Sequence, residues 1–167
     1  AVQGPPGTGK TYNGAKVVAE LVERGWRVGV VAQSHAAIDN VLTSVANEGI
    51  PKHQIGKKLR RGATPEPDDL WTGFTTNPQV GNFLDEPGGR VVGGTVWMFS
   101  ADQAVAPKSL DLIVIEEAGQ YSLANTIAVS TATTRLLLLG DPQQLSEVSQ
   151  GSHPEPVDTS ALGWLSQ

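Results

Sequence analysis

One short segment near the start of the chain limits its possible folds more than any other feature. Residues 4–11 have the sequence GPPGTGKT, which matches the pattern G-x-x-x-x-G-K-[ST]. Glycines at these places let successive backbone N–H groups converge on one anion, and a helix that begins near Lys10 turns its positive dipole end toward the same point. The alternative is a chance match in a turn rich in glycine and proline. Because the whole pattern matches in frame and a helical pattern follows, we predict a phosphate-binding loop.

The residue types within this loop indicate separate tasks. Lys10 is expected to bridge the β- and γ-phosphates of a nucleotide, and the hydroxyl of Thr11 is expected to ligate Mg²⁺. The residues predicted to bind the phosphates are Gly4, Pro5, Pro6, Gly7, Thr8, Gly9, Lys10 and Thr11.

The spacing of apolar residues predicts alternating strands and helices. Strands are expected at residues 27–32, 90–95, 110–115 and 135–139, because these are short, mostly apolar runs. A helix follows the phosphate loop, a second begins after Ser34 as its N-cap, and a third covers residues 123–131. This alternation is typical of an α/β fold with a parallel sheet and helices on both faces.

Residues 51–89 break the alternation, and we predict an inserted segment there with weak regular structure. Its basic residues are Lys52, Lys57, Lys58, Arg60 and Arg61. Contact with nucleic-acid phosphates is one interpretation, but a solvated, flexible charge run is favoured. Base stacking is one interpretation of four aromatic residues, but packing in the core or against another domain is favoured for Trp71, Phe74, Trp97 and Phe99.

Composition excludes several classes of protein. The chain has 167 residues, a net charge of −5 and no cysteine. These values argue against a wholly basic nucleic-acid platform, a disulfide scaffold, a cysteine-ligated zinc site and thiol catalysis. No apolar run approaches the length of a membrane span. We expect one soluble, cytoplasmic domain, and a fragment of a longer protein because both ends fall inside sequence patterns.

Two further signals follow predicted strands. Glu116 and Glu117 come directly after the apolar run 112–115, where carboxylates can hold Mg²⁺ and orient an attacking water. Two acids that open a helix are the alternative, but the phosphate loop favours the functional interpretation. Residues 140–145 (GDPQQL) follow the run 135–139. Their polar groups suit a γ-phosphate sensor, whereas Asp141 and Pro142 equally suit a type I turn, so both interpretations stay open.

Taken in order, these segments resemble the motifs of superfamily 1 helicases, in the branch that moves from 5′ to 3′. The segment GPPGTGKT is similar to motif I, residues 32–40 (AQSHAAIDN) to motif Ia, residues 116–120 (EEAGQ) to motif II and GDPQQL to motif III. Residues 94–96 (GTV) stand where motif Ic lies. Residues 123–125 and the C-terminal tail are also similar to bacterial proteins that fuse a RecB-like nuclease to such a helicase.

The resemblance implies a RecA-like P-loop NTPase domain, a three-layer sandwich that uses ATP and Mg²⁺. It implies that Glu117 polarises the attacking water, that Glu116 contacts Mg²⁺ and that Gln144 senses the γ-phosphate. It also implies that Ser34 and Thr95 face single-stranded DNA or RNA, and that a second RecA-like domain completes the ATP site.

The sequence departs from the family pattern in two ways. The family has Asp at the first acid of motif II, and Glu116 is one methylene longer. The second RecA-like domain, which carries arginine fingers, is absent, so we expect nucleotide binding with slow hydrolysis by this piece alone. Two other classes stay open: a nucleotide-gated nucleic-acid-binding module without turnover, and another P-loop phosphotransferase. For the latter, no N-K-x-D guanine motif is present, and Arg60 and Arg61 are thin support for an arginine-rich lid.

Overall fold

A computed structural model describes residues 1–5, 7–141, 156–157 and 159–165. Over these residues, seven strands form one parallel sheet in the order β1-β7-β6-β2-β5-β3-β4. The strands are β1 (Val2–Gln3), β2 (Arg27–Val31), β3 (Ile55–Lys58), β4 (Thr72–Phe74), β5 (Arg90–Gly94), β6 (Leu112–Ile115) and β7 (Leu136–Gly140). All strands therefore end at the same edge of the sheet.

Helices lie between successive strands, except between β3 and β4. They are α1 (Lys10–Glu23), α2 (His35–Asn47), α3 (Asn77–Asp85), α4 (Val96–Phe99), α5 (Leu123–Ser130) and α6 (Ala161–Trp164), with a 3₁₀ turn at Lys52–Gln54. Local chemistry fixes their first residues. The Ser34 side chain accepts a hydrogen bond from the Ala37 N–H at 3.1 Å, which confirms Ser34 as the N-cap of α2. None of the described helices is long and apolar enough to cross a lipid bilayer.

The sheet is covered on both faces, as the three-layer prediction requires. Helices α1 and α2 pack on one face through residues such as Val18 and Leu42, against Val114 of β6. Helices α3 to α6 pack on the other face, where Phe99 and Ile113 lie in one cluster. Both faces of the central strands are therefore apolar, which explains why β6 has the continuous sequence LIVI rather than an alternating one.

The expectation of weak regular structure in residues 51–89 was wrong. This stretch supplies β3, β4 and α3, and β3 pairs in parallel with β5 on one side and β4 on the other. Short strands with glycine and lysine lack the apolar run that reveals a buried strand. Helix α3 nevertheless has a sequence signal for its first turn, because Thr76 and Gln79 form a capping box with Pro78 between them.

Candidate nucleotide-binding site and nucleic-acid interface

The phosphate loop connects the end of β1 to the first turn of α1. Gly7 and Gly9 have φ angles of 80° and 74°, in the left-handed region that favours glycine. Gly9 is the N-cap and offers no side-chain hydrogen bond. The first intrahelical bond runs from the Asn13 N–H to the Gly9 carbonyl at 2.9 Å. The N–H groups of Lys10, Thr11 and Tyr12 therefore lie ahead of the helical ladder and suit an anion.

The Lys10 ammonium lies over this loop. Its Nζ donates to the backbone carbonyls of Gly4 at 2.5 Å and Pro5 at 2.7 Å. The Thr8 hydroxyl also donates to the Pro5 carbonyl, at 2.8 Å, which fixes the turn. The third donor of the Lys10 ammonium is directed at the Thr8 hydroxyl at 3.5 Å, the longest of the three contacts and therefore the one that a phosphate oxygen would replace.

Glu116 joins the end of β6 to the phosphate loop. Its Oε1 accepts a hydrogen bond from the Thr11 hydroxyl at 2.6 Å, across 105 residues of sequence. Glu116 is 9% exposed, and its Oε2 is buried without a hydrogen-bond partner. Burial raises the pKa of Glu116 most, and Glu117 raises it further, whereas the Thr11 hydrogen bond and Lys10 lower it. A divalent cation beside Thr11 would give the buried oxygen the partner that it lacks, so the pair fits Mg²⁺.

Glu117 has an uncommon backbone conformation. Its φ angle is 56°, a backbone conformation that residues other than glycine rarely adopt. The Gln120 N–H donates to the Glu117 carbonyl at 2.8 Å. Such a conformation costs about 1–3 kcal/mol and is concentrated at functional sites. It occurs here at the acid predicted to polarise the attacking water.

Two glycines let the turn after β6 approach the end of β7 closely. A Cβ at Gly119 would lie 1.9 Å from the Asp141 carbonyl oxygen, and one at Gly140 would lie 2.8 Å from the Gly119 nitrogen. The Ala118 N–H donates to the Leu139 carbonyl at 2.9 Å. The Gly4 N–H in turn donates to the Gly140 carbonyl at 3.3 Å, so β7 connects the phosphate loop to the acids.

These three segments surround one cleft of about 490 Å³. It brings together the predicted phosphate-loop residues and the predicted acids after β6. The lining residues are Gly7, Thr8, Gly9, Lys10, Thr11, Tyr12, Ser44, Glu116, Glu117, Gly140 and Asp141. Gly4 and Pro5 contribute the carbonyls that hold Lys10. Pro6 and Gln144 lie outside the described residues.

Two lining residues, Tyr12 and Ser44, are not predicted by the sequence motifs. Tyr12 directly follows the motif, so its position was a readable signal. Ser44 lies on α2, and only the packing of α2 against α1 brings it to the cleft.

A second feature lies at the same edge of the sheet, beyond β2. Ser34 follows β2 and Thr95 follows β5, and these strands are neighbours with Val31 opposite Gly94. A groove of about 430 Å³ includes Thr95 and Trp97 and is bounded by basic side chains; its lining residues are His35, Lys58, Leu59, Arg60, Arg61, Asn77, Thr95, Trp97 and Met98. Burial lowers the pKa of His35, and the positive charge of Lys57 is the second-largest cause of the lowering.

The packing prediction for the aromatic residues was right for Phe74 and Phe99, which are 8% and 1% exposed. Trp97 is 82% exposed, so it does not pack in the core of this domain, and its packing against another domain stays a prediction. Trp97 lies on the outer side of the four-residue helix α4, whereas Met98 and Phe99 of the same helix are buried. A single helical turn has only one buried side, and the sequence VWMF does not reveal which residue it excludes.

The expectation of a solvated, flexible basic run was wrong for Lys57 and Lys58, which lie on β3. Lys57 is 6% exposed, forms an ion pair with Asp39 of α2 and lies 5.1 Å from the centre of the Trp71 ring. Lys58 donates to the Thr75 carbonyl at 3.0 Å. Arg60 and Arg61 are exposed beside the groove.

Several known proteins are similar to this chain in sequence or in fold. A model of the AAA domain family matches residues 1–160. The DNA replication ATP-dependent helicase/nuclease DNA2 of Saccharomyces cerevisiae is 25% identical over 99% of the chain. The replicase polyprotein 1ab of Alphamesonivirus 1 is 31% identical over 90% of it. The arterivirus nonstructural protein 10 (helicase), solved in complex with DNA, aligns over 92% of the chain with a TM-score of 0.54 and 18% identity.

The chain spans only part of each of these proteins. It covers 10% of the yeast protein, 3% of the viral polyprotein and 31% of the arterivirus chain. The match to the family model, by contrast, covers nearly all of this chain. The chain therefore belongs to the AAA domain family, and its fold is that of a RecA-like P-loop domain.

Proposed function

We propose that this chain is the ATP-binding motor domain of a helicase that couples ATP hydrolysis to translocation on single-stranded nucleic acid. The observation that carries the proposal is the 2.6 Å hydrogen bond between Thr11 and Glu116. It joins a phosphate-binding loop to the acidic end of a buried strand, which is the arrangement that hydrolysis of a nucleoside triphosphate needs. The yeast relative is named as an ATP-dependent helicase, which also supports the proposal.

Each residue then has a chemical task. The loop amides and Lys10 hold the phosphates, and Lys10 neutralises charge on the β- and γ-phosphates. Thr11 and Glu116 hold Mg²⁺, which when bound neutralises the charge that develops on the phosphate oxygens. Glu117 accepts a hydrogen bond from the attacking water and takes up its proton. Gln144 senses the γ-phosphate from the segment after β7.

The groove that contains Thr95 and Trp97, together with Ser34, which directly precedes the groove residue His35, supports binding of a single strand. Ser34 uses its oxygen lone pair to cap α2, so its hydroxyl proton remains for a phosphate oxygen. Thr95 lies at the start of α4 without a side-chain cap bond. Arg60 and Arg61 supply positive charge for phosphates, and the exposed Trp97 ring suits a base.

Hydrolysis by this piece alone is expected to be slow. In this proposal the second RecA-like domain supplies the arginine that stabilises the transition state. Such an arginine contributes about 10³–10⁵ in rate in related phosphoryl-transfer enzymes.

Calorimetry and phosphate release test the nucleotide part. We expect the chain to bind Mg²⁺ with a non-hydrolysable ATP analogue. Lys10→Ala should abolish this binding, whereas Lys52→Ala, which changes a lysine outside the cleft, should retain it. Glu117→Gln should still bind but should lose phosphate release in the full-length protein.

Three results would contradict the motor proposal. Absence of nucleotide binding refutes it outright. Binding without phosphate release in the full-length protein supports the nucleotide-gated module instead. Transfer of phosphate to a nucleoside acceptor supports the phosphotransferase.

Anisotropy of a labelled oligothymidylate tests the groove. Trp97→Ala should weaken binding, and Trp164→Ala, which removes another exposed tryptophan on α6, should not. Replacing Arg60 and Arg61 by alanine should flatten the dependence of log K on log salt by about 0.7 for each phosphate that no longer has an arginine partner. Equal behaviour of the Trp97 and Trp164 variants would remove the groove from the proposal.

A further inference from the structure

Tyr12 is an exposed aromatic residue at the mouth of the nucleotide cleft. It directly follows Thr11 in the first turn of α1, lines the cleft and is 54% exposed. Tyr121, in contrast, is 1% exposed in the core. Packing in the core therefore does not explain why a tyrosine occupies position 12, beside the ligand cleft.

The first turn of α1 directs Tyr12 away from the acids. Thr11 faces Glu116, to which its hydroxyl donates. Successive residues of an α-helix are rotated by about 100°, so Tyr12 projects from a different side of the helix than Thr11. The acids mark the end of the cleft where the γ-phosphate reacts. The nucleoside end of a triphosphate therefore leaves the cleft away from them, past the start of α1.

The ring of Tyr12 is already held in place. The Lys16 Nζ, one turn further along α1, lies over the ring at 4.4 Å from its centre. This cation–π contact occupies one face of the ring. The exposure of the side chain leaves the other face accessible to a planar group, and an ordered ring loses little entropy when that group binds.

We propose that Tyr12 is the platform on which the base of the bound nucleotide stacks, an inference that rests on the proposed nucleotide site. Stacking does not distinguish one base from another, because every base has a π face. Among the described lining residues outside the phosphate loop and the two glutamates, Ser44 and Asp141 are the ones besides Tyr12 with polar side chains. Asp141 follows β7 next to Gly119, at the end of the cleft marked by the acids, so Ser44 is the one left for the nucleoside end. This domain therefore binds adenine and guanine nucleoside triphosphates with similar affinity.

Calorimetric titration of the chain with Mg²⁺ and three ligands separates the base from the phosphates. The ligands are a non-hydrolysable ATP analogue, the matching GTP analogue and inorganic tripolyphosphate. Tyr12→Ala should weaken both nucleotides about five- to 150-fold, the range measured for loss of one stacked aromatic ring. It should leave tripolyphosphate within about twofold, because that ligand has no base to stack.

Two variants act as controls. Tyr12→Phe keeps the ring and should keep the nucleotide affinities. Val17→Ala changes an exposed residue of the same helix outside the cleft lining and should change none of the three.

The outcomes are distinguishable. Equal loss of tripolyphosphate and nucleotide affinity in Tyr12→Ala would mean that Tyr12 supports the phosphate loop, and would overturn the stacking role. An unchanged nucleotide affinity would overturn it as well, and a loss for ATP alone would overturn the lack of base preference. If the unaltered chain binds neither tripolyphosphate nor nucleotide, the proposed function itself fails, and this inference fails with it.

Discussion

Adding one methyl group at Gly119 should separate the two halves of the candidate site. A Cβ there would lie 1.9 Å from the Asp141 carbonyl oxygen, and real Cβ contacts essentially never fall below 3.0 Å. One of the two backbone segments must therefore move by at least about 1.1 Å. Because the Gly4 N–H is bonded to Gly140, this movement changes the position of the acids relative to the phosphate loop.

The chain contains a matched control for this substitution. A Cβ at Gly89 would lie 1.8 Å from the Val22 carbonyl oxygen, a backbone clash of the same severity. Gly89 directly precedes β5, at the opposite edge of the sheet from the cleft. Neither glycine has a positive φ angle, so both substitutions act through steric overlap alone. Each should lower the free energy of unfolding by about 1–3 kcal/mol.

Activity should distinguish the two variants. A displacement of about 1 Å at a reacting centre can cost about 100-fold in rate. We therefore expect Gly119→Ala to lose about 100-fold in single-turnover ATP hydrolysis, and Gly89→Ala to keep the rate of the unaltered chain once both are compared at equal folded fraction. Urea unfolding gives the folded fractions. Equal hydrolysis rates in the two variants would refute the claim that close approach of Gly119 to β7 positions the acids.

Three other perturbations have defined outcomes. Because burial raises the pKa of Glu116, its folded carboxyl keeps a proton that the unfolded one has lost, so the free energy of unfolding should fall as pH rises from about 4.5 through the folded pKa. Glu116→Gln should remove this decline in urea unfolding, and a variant with the same pH profile as the unaltered chain would contradict the assignment. Asp39→Asn leaves the buried Lys57 ammonium without its anionic partner, which should cost about 1.5–3 kcal/mol. The double variant with Lys57→Met should recover most of this loss in the same assay. Ser34→Ala should lower the free energy of unfolding by about 1 kcal/mol through loss of the α2 cap. Ser34→Asp should keep the cap but lower the affinity for an oligonucleotide. Retained affinity in Ser34→Asp would argue against a phosphate contact at Ser34.

Local sequence patterns predicted those elements whose stability depends on local or strongly apolar interactions. Ser34 was a readable cap, and the run LIVI of β6 is apolar because both of its faces are covered. The strands β3 and β4 were missed for the opposite reason. Both are short and contain glycine, and β3 also contains two lysines. They form because β5 offers a hydrogen-bonding edge to β3, and β3 in turn offers one to β4.

The sequence alone determined which chemical groups this protein carries: a loop of glycine amides with Lys10 and Thr11, and a pair of acids at the end of an apolar strand. Their motifs are local, so the sequence is enough to recognise them. Tertiary structure decided which of these groups meet. The Thr11–Glu116 hydrogen bond, the burial of Lys57 and the exposure of Trp97 each depend on how distant segments pack. Local sequence patterns do not predict that packing, because it depends on contacts between segments far apart in sequence.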